Sequence, residues 1–375
     1  MKKIIQVFAV VSALLFTGVY CLNAGKNDTK VPIIKIASGG YVSLVLKSDG
    51  SLWAAGKNDV GQLGTGDNKS RTTLAKVLSG VSDMAEGGNY SLALKSDGSL
   101  WAAGRNYDGQ LGTGDNKNRD TWTKVLTDVA AISAGSHHSM ALKKDGSVWT
   151  TGNNNWGELG TGDENGRNRF TKVLTGAAAI SAAGLGNSLA LKKDGSVWAA
   201  GDNGWGQLGA GDKKDRDKFV QVLTGVSAIS AGRDRSFALK SDGTLLAVGK
   251  NSEGWLGTGD NKELKTWTKV FSGVSAISAG GLYHNLAMKS DGSVWAAGRN
   301  YYGQLGTGDN NDRNKWTKVM DGAAMISAGG YHSLALKKDG SLWATGFNGW
   351  NELGTGDNND RNKWMQIVPP PQSYK

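Results

Sequence analysis

The chain has 375 residues, among them 56 glycines, 14 tryptophans and only 4 prolines, and its formal net charge is +10. Glycine is roughly twice as common as in an average protein, and the low proline content excludes a collagen-like or proline-rich disordered chain. One cysteine excludes a disulfide framework and a cysteine-based zinc site, and four histidines leave little room for a metalloenzyme. This composition is typical of an all-β protein with many tight turns.

The N-terminus has the pattern of an export signal. Lys2 and Lys3 precede an apolar run over residues 4–20, an order that is typical of secretory signals. Small residues at Ala24 and Gly25 favour cleavage there. We therefore predict a signal peptide over residues 1–24, a linker over 25–30 and a secreted, periplasmic or cell-surface protein. An uncleaved membrane anchor is the alternative, because the run is just long enough to span a bilayer.

Two markers recur seven times between residues 31 and 368. The dipeptide Asp-Gly begins at Asp49, Asp97, Asp145, Asp194, Asp242, Asp291 and Asp339. The run Leu-Gly-Thr/Ala-Gly-Asp begins at Leu63, Leu111, Leu159, Leu208, Leu256, Leu305 and Leu353. Both markers are spaced by 48 or 49 residues, which predicts seven repeats of one structural unit. Residues 369–375 form a proline-rich tail that cannot continue a strand.

Each repeat contains four predicted strands, which we call a to d. Examples are residues 276–279 for a, 333–337 for b, 341–344 for c and 316–319 for d. Asp-Gly between b and c predicts a type I′ hairpin. A period of 40–50 residues with four strands is typical of a propeller blade. We predict an all-β, seven-bladed β-propeller with four antiparallel strands per blade. Either the two chain ends share a blade or each repeat forms its own.

Two runs resemble the repeat of the regulator of chromosome condensation family. They are residues 328–336 and 298–306, and the resemblance extends over nearly all of residues 31–368. It implies a seven-bladed β-propeller. The best-known member is a nucleotide exchange factor for a nuclear GTPase, so an exchange-factor role is one implied alternative. The export signal and the nearly equal repeat lengths disfavour that role and predict a secreted, bacterial member of the family.

Strand alternation places the a–b and c–d connections on one side of the propeller, the loop face, and the b–c hairpins on the other, the hairpin face. Variation among the repeats is concentrated on the loop face. The candidate partner-binding residues there are Tyr107, His138, Trp156, Trp205, Arg235, His284, Tyr302, His332 and Trp350. Aromatic and arginine side chains anchor many protein interfaces. The alternative is that each ring packs on its own loop.

The hairpin face carries a lysine two residues before every Asp-Gly. These are Lys47, Lys95, Lys143, Lys192, Lys240, Lys289 and Lys337, with Lys144, Lys193 and Lys338 beside three of them. They predict either an electropositive ring for an anionic surface or, because each lysine neighbours an aspartate, a charge-compensated edge. No aromatic residue is interleaved with them, so no nucleic-acid partner is expected. We also expect no membrane contact beyond the N-terminal segment.

No group of residues breaks the repeat symmetry as a catalytic centre would. Glu86 and Asp234 are the isolated acids, and we interpret both as solvated loop charges. The asparagine of a Gly-x-Asn step recurs in all seven repeats, which indicates a structural turn, and the strand-c tryptophans indicate core packing. The sequence predicts a monomeric, non-enzymatic scaffold without metal or cofactor that binds a protein through the loop face. A carbohydrate- or cell-wall-binding module is the alternative.

Overall fold

The computed structural model describes residues 31–371. The predicted signal peptide, the linker and the last four residues of the tail lie outside the described residues. Seven four-stranded antiparallel sheets follow one another along the chain, each with its strands in sequence order. This confirms the predicted all-β, seven-bladed propeller with four strands per blade. Within residues 31–371, no helix is long and apolar enough to cross a membrane.

The strands occupy equivalent positions in blades 1 to 7. The a strands, which line the central channel, are β1 (Ile33–Ser38), β5 (Val81–Glu86), β9 (Val129–Ala134), β13 (Ala177–Ala182), β17 (Ala228–Ala231), β21 (Val274–Ala279) and β25 (Ala323–Ala328). The b strands are β2 (Val42–Lys47), β6 (Tyr90–Lys95), β10 (His138–Lys143), β14 (Asn187–Lys192), β18 (Arg235–Leu239), β22 (His284–Lys289) and β26 (His332–Lys337).

The outer half of each blade is built from the c and d strands. The c strands are β3 (Leu52–Gly56), β7 (Leu100–Gly104), β11 (Val148–Gly152), β15 (Val197–Gly201), β19 (Leu245–Gly249), β23 (Val294–Gly298) and β27 (Leu342–Gly346). The outermost d strands are β4 (Arg71–Leu78), β8 (Arg119–Leu126), β12 (Arg167–Leu174), β16 (Arg216–Leu223), β20 (Leu264–Phe271), β24 (Arg313–Met320) and β28 (Arg361–Val368). Among residues 31–371, one 3-10 turn covers Ser252–Gly254.

The b–c hairpins form where Asp-Gly predicts them, but the turn type differs from the prediction. Only the glycine is left-handed, with φ of +77° at Gly50, whereas Asp49 keeps a negative φ. Gly50 N donates to Lys47 O at 3.0 Å, and Lys47 N donates to Ser51 O at 3.0 Å. This is a type I turn followed by a left-handed glycine. The type I′ prediction is wrong, because a type I′ hairpin has two connecting residues that both have positive φ. Here the connection has three residues, Ser48, Asp49 and Gly50, and only Gly50 has a positive φ.

Large side chains of one blade pack on small residues of the next. Leu44 and Leu46 of blade 1, for example, share a buried cluster with Ala93 of blade 2. Burying the leucines of both central strands between sheets is the main driving force for stacking the blades. The strand-c tryptophans are only partly buried at the edge of these clusters, and Trp53 Nε1 donates to Ser51 Oγ at 2.9 Å.

Each repeat forms its own blade, which decides between the two modes of closure. Blade 7 meets blade 1 through side-by-side contacts of β25 and β26 with β1. Ser38 N donates to Ser327 Oγ at 2.9 Å, and Gly330 N donates to Gly39 O at 2.8 Å across this junction. The same serine position in blades 3 to 6 accepts an amide of the following blade at 2.9–3.0 Å.

Candidate interaction surface

The c–d connections of the loop face are held rigid by a buried asparagine in every blade. In blade 1, Asn58 Oδ1 accepts from Leu63 N at 2.9 Å, and Asn58 Nδ2 donates to Asp67 O at 2.7 Å. Asp67 in turn binds Arg71 at 2.9 Å. The Asn58 side chain has no exposed surface. The Gly-x-Asn step is therefore a structural turn, as predicted, and it presents its neighbours at fixed positions.

Exposed aromatic side chains are concentrated on this face. Seven large apolar residues are exposed within residues 31–371, and five of them are aromatic residues of the c–d connections. These five are Tyr107 (61% exposed), Trp156 (52%), Trp205 (39%), Tyr301 (62%) and Trp350 (44%). Four belong to the predicted set, while Tyr301 stands next to the predicted Tyr302. Exposed rings on ordered loops have the properties of interface anchors.

Blades 6, 7 and 1 join their rings into one group, which we call the aromatic cluster. It consists of Tyr41, Tyr283, Tyr301, Tyr302, Tyr331 and Phe347. Tyr331 lies at its centre, with its ring centroid 5.5 Å from that of Tyr302 and 5.8 Å from that of Tyr41. Tyr302 also contacts Tyr301 and Phe347, both at 4.8 Å. The predicted residue Tyr302 is thus half-buried and supports more exposed neighbours.

Cationic side chains lie over several of the exposed aromatic rings of the loop face. Lys57 Nζ is 4.8 Å from the ring centroid of Trp350, and Lys250 Nζ is 4.4 Å from that of Trp205. Sequence reasoning missed them, although one signal was present. They occupy the variable middle position of the otherwise constant Gly-x-Asn step, which is filled by Lys57, Arg105, Asn153, Asp202, Lys250, Arg299 and Phe347. The sequence prediction used only the constant glycine and asparagine of that step.

Four predicted partner-binding residues need correction. His138, Arg235, His284 and His332 are at most 1% exposed and point into the next blade. His332 Nε2 lies 3.0 Å from Ser43 Oγ, for example, across the junction of blades 7 and 1. Each of the four begins strand b, which is buried on both of its faces between neighbouring blades, so a side chain at this position is buried whichever face it is on. They hold blades together and leave no surface for a partner.

The residue before the Leu-Gly marker is a buried amide in four blades and a buried carboxyl in two. Gln62 Oε1 accepts from Val60 N at 3.1 Å, and Glu352 Oε2 accepts from Trp350 N at 2.9 Å in the equivalent geometry. Glu352 Oε1 has no hydrogen-bond partner. Burial raises the pKa of Glu352 to about 8 because a charged carboxylate is poorly solvated there.

We expect Glu352→Gln to stabilise the protein selectively at alkaline pH. The pKa of an unfolded glutamate is about 4.5, so the cost of ionising Glu352 in the fold accumulates as the pH rises from there towards 8. The variant should gain nothing at pH 4.5 and a few kcal/mol at pH 9. Denaturant unfolding at both pH values measures this gain. Glu164→Gln, at an exposed position, is the matched control; equal gains from both variants would contradict the prediction.

The central channel has a volume of about 500 Å³ and is lined by the a strands. Glu86 lies in its wall, where burial raises its pKa well above the usual value. Asp234 is 7% exposed and pairs loosely with Arg233 at 3.7 Å and Lys250 at 3.9 Å. Interpreting both as solvated charges was wrong, since both are buried. In the part of the chain that the structure describes, no three His, Cys, Asp or Glu residues are placed to hold a metal.

Solved structures share this architecture. The structure of Prp20p from Saccharomyces cerevisiae, a protein that binds Gsp1p and histones, superposes with a TM-score of 0.76 at 22% identity. The match covers 90% of this chain and 87% of that chain. Human WBSCR16 gives a TM-score of 0.75 at 21% identity, with coverage of 85% and 94%. At these identities the likeness establishes the fold.

The sequence carries the family relationship. No curated protein matches this chain in sequence. One model of the regulator of chromosome condensation (RCC1) repeat matches residues 49–94, 97–142, 194–239 and 291–336. A second model of the same repeat matches residues 33–62, 81–110, 129–157, 226–254, 274–304 and 326–350. Together they match residues 33–157, 194–254 and 274–350, which is more than half of the chain and includes part of every blade. The chain therefore belongs to the regulator of chromosome condensation (RCC1) repeat family.

Proposed function

We propose that this protein is a secreted, non-enzymatic propeller that binds a protein partner through its loop face. One observation carries the proposal: in the part of the chain that the structure describes, five of the seven exposed large apolar side chains lie on this face, on connections fixed by buried asparagines. Protein interfaces are enriched in tyrosine, tryptophan and arginine. The related Prp20p also binds proteins. Export rests on the charged and apolar segments of residues 1–24.

The aromatic cluster and the rings beside it form the centre of the proposed interface. Arg299 lies over Tyr283 and Lys57 over Tyr41, with the cations 5.0 and 5.3 Å from the ring centroids. These cation–ring contacts restrain the side chains before a partner arrives, so the partner gains contact area at little conformational cost. Rings supplied by three neighbouring blades give a continuous surface, which a partner protein can cover in one contact.

Replacing Tyr301 and Trp350 by alanine should abolish binding without unfolding the propeller. Both side chains are exposed, Tyr301 at 62% and Trp350 at 44%, so their loss should change the melting temperature little, whereas hot-spot rings contribute about 2 kcal/mol or more each to binding. The partner is captured from the extracellular medium, identified and purified, and its affinity for wild type and variant is measured by calorimetry.

The control variant removes two exposed apolar side chains that lie outside the loop face. Ile34 and Met365 are 44% and 39% exposed but lie on strands outside the loop face. Their alanine variants should bind as wild type does. Equal losses from both pairs would contradict a specific loop-face site, and a fall in melting temperature for Tyr301 and Trp350 would show that the rings are structural. Soluble glycans are tested by calorimetry in the same way. If wild type binds a glycan and the variant that lacks Tyr301 and Trp350 does not, the ligand of the loop face is a carbohydrate and not a protein.

A further inference from the structure

Both ends of the described chain emerge on the hairpin face. Pro32 O accepts a hydrogen bond from Ser48 N in the hairpin of blade 1 at 2.9 Å. Pro371 packs against Gly340 in the hairpin of blade 7. The ten residues between the apolar N-terminal run and the propeller span at most about 35 Å when fully extended. A membrane that holds the N-terminal run would therefore lie on the side of the hairpin face.

This face is strongly cationic. Fifteen lysines and nine aspartates occupy its hairpins, its d–a connections and the adjoining ends of the d strands. The lysines are Lys47, Lys76, Lys95, Lys124, Lys143, Lys144, Lys172, Lys192, Lys193, Lys240, Lys269, Lys289, Lys318, Lys337 and Lys338. The aspartates are Asp49, Asp97, Asp128, Asp145, Asp194, Asp242, Asp291, Asp321 and Asp339. The lysines exceed the aspartates by six, and this excess comes from blades 1, 3, 4, 5 and 7, whereas the charges of blades 2 and 6 balance when each blade is counted with the connection that follows it.

The hairpin aspartates are engaged inside their own turns. Asp97 Oδ1 accepts from Ser99 N at 2.8 Å and from Ser99 Oγ at 2.6 Å, and the same pair of bonds recurs in six blades. The lysine two residues earlier lies over the strand-c tryptophan in those blades, with Nζ 3.8–4.8 Å from the ring centroid. The hairpin aspartates keep their negative charge in these bonds, so the positive character of the face comes from the six lysines in excess over the aspartates.

We propose that the hairpin face lies against an anionic lipid bilayer and that the loop face points away from it. A ring of lysines presents its charge in one plane, and each lysine near an anionic membrane strengthens binding about fivefold. Single-stranded nucleic acid fits less well, since the tryptophan rings are covered by the lysines and offer no base a stacking surface. This extends the sequence expectation, in which membrane contact ended with the N-terminal segment, and it does not depend on the proposed function.

The test compares two charge-reversal variants of the full chain. Lys144→Glu/Lys193→Glu/Lys338→Glu changes three exposed hairpin lysines that lie beside the stacked ones. Lys117→Glu/Lys214→Glu/Lys262→Glu makes the same change of charge on exposed c–d connections of the loop face. Each protein is sedimented with vesicles of phosphatidylcholine alone and of phosphatidylcholine with phosphatidylglycerol. The ratio of the two affinities removes the contribution of the apolar N-terminal run, which both vesicles share.

Wild type should prefer the anionic vesicles, and added salt should reduce that preference. The hairpin variant should lose the preference by roughly 100-fold, while the loop-face variant keeps most of it. Circular dichroism confirms that both variants fold. Equal losses in the two variants, or no preference in wild type, would overturn the proposal. Full displacement from the vesicles by a short DNA duplex at physiological salt would also overturn it, because the face would then bind polyanions in general.

Discussion

Arg235→Ala should reduce the free energy of unfolding by about 4 kcal/mol, the cost of leaving a buried polar group without its partners. The Arg235 side chain has no exposed surface and joins blade 5 to blade 6. Its guanidinium donates to Asn285 Oδ1 at 2.9 Å and to the carbonyl oxygens of Gly280, Leu282 and His284 at 2.7–3.0 Å. Alanine would leave these acceptors buried without donors. Guanidinium denaturation at pH 7 measures the loss.

The adjacent Arg233 supplies the control. Its side chain is 30% exposed, and its contact with Asp234 is long, at 3.7 Å. Arg233→Ala should cost less than about 1 kcal/mol. Arg235→Lys should recover only part of the loss, because an ammonium group cannot reproduce the four bonds of the planar guanidinium. Similar losses at positions 233 and 235 would show that Arg235 is not the polar link between the two blades.

Acidification should destabilise the propeller through His138, His284 and His332. Burial lowers the pKa of each to about 3 from the ordinary 6.5. The neutral ring is therefore favoured in the fold. As far as these histidines are concerned, the fold has its full stability above pH 6.5, where they are neutral in both the folded and the unfolded chain. The free energy of unfolding then decreases as the pH falls towards 3, because only the unfolded chain binds the protons. Each histidine adds a slope of about 1.4 kcal/mol per pH unit, so the three together should remove about 4 kcal/mol per unit between pH 6 and pH 4.

The hydrogen bonds explain why these rings resist a proton. Ser333 Oγ donates its hydrogen to Gln304 O at 2.8 Å, so His284 Nε2, 2.8 Å away, must be the donor to Ser333. His284 Nδ1 then has no partner. A proton on Nδ1 would bury both a charge and an unpaired N–H group. The same arrangement holds for His332 with Ser43, whose hydroxyl donates to Glu352 O.

Asparagine variants test this acid sensitivity, since blade 4 already carries Asn187 at the equivalent position. The triple variant should be less stable than wild type at pH 7 but should show a shallower loss of stability between pH 6 and pH 4. His137→Asn, at a side chain that is 34% exposed, is the control for removing a histidine that is not buried and should change the slope much less than the triple variant does. Parallel pH profiles for the triple variant and wild type would show that the buried rings do not cause the acid sensitivity.

The repeats make the fold predictable, because local spacing determines it. Asp-Gly, Gly-x-Asn and the alternating leucines each specify one piece of a blade, and seven copies remove ambiguity. The site is harder because one position along the chain separates a buried residue from an exposed one. His138 begins a strand that is buried on both faces, whereas His137, just before the strand, is 34% exposed, so the exact start of strand b determines which of the two is available to a partner. The cluster around Tyr331 could be predicted only in part. Tyr41, Tyr283 and Tyr331 each directly precede strand b and so lie at one repeat position, but their contacts with Tyr302 and Phe347 depend on side-chain directions that the repeat spacing does not specify.

Because every sheet is complete within one repeat, blades 7 and 1 meet at a junction, the seam, where the two ends of the described chain share no strand. The seam is closed by the same kind of contact that joins any two neighbours, from Ser327 to Ser38 and from His332 to Ser43. A genetic duplication or deletion of one 48-residue repeat would thus add or remove a whole blade without separating hydrogen-bonded strands. The number of blades can therefore change during evolution by whole repeats.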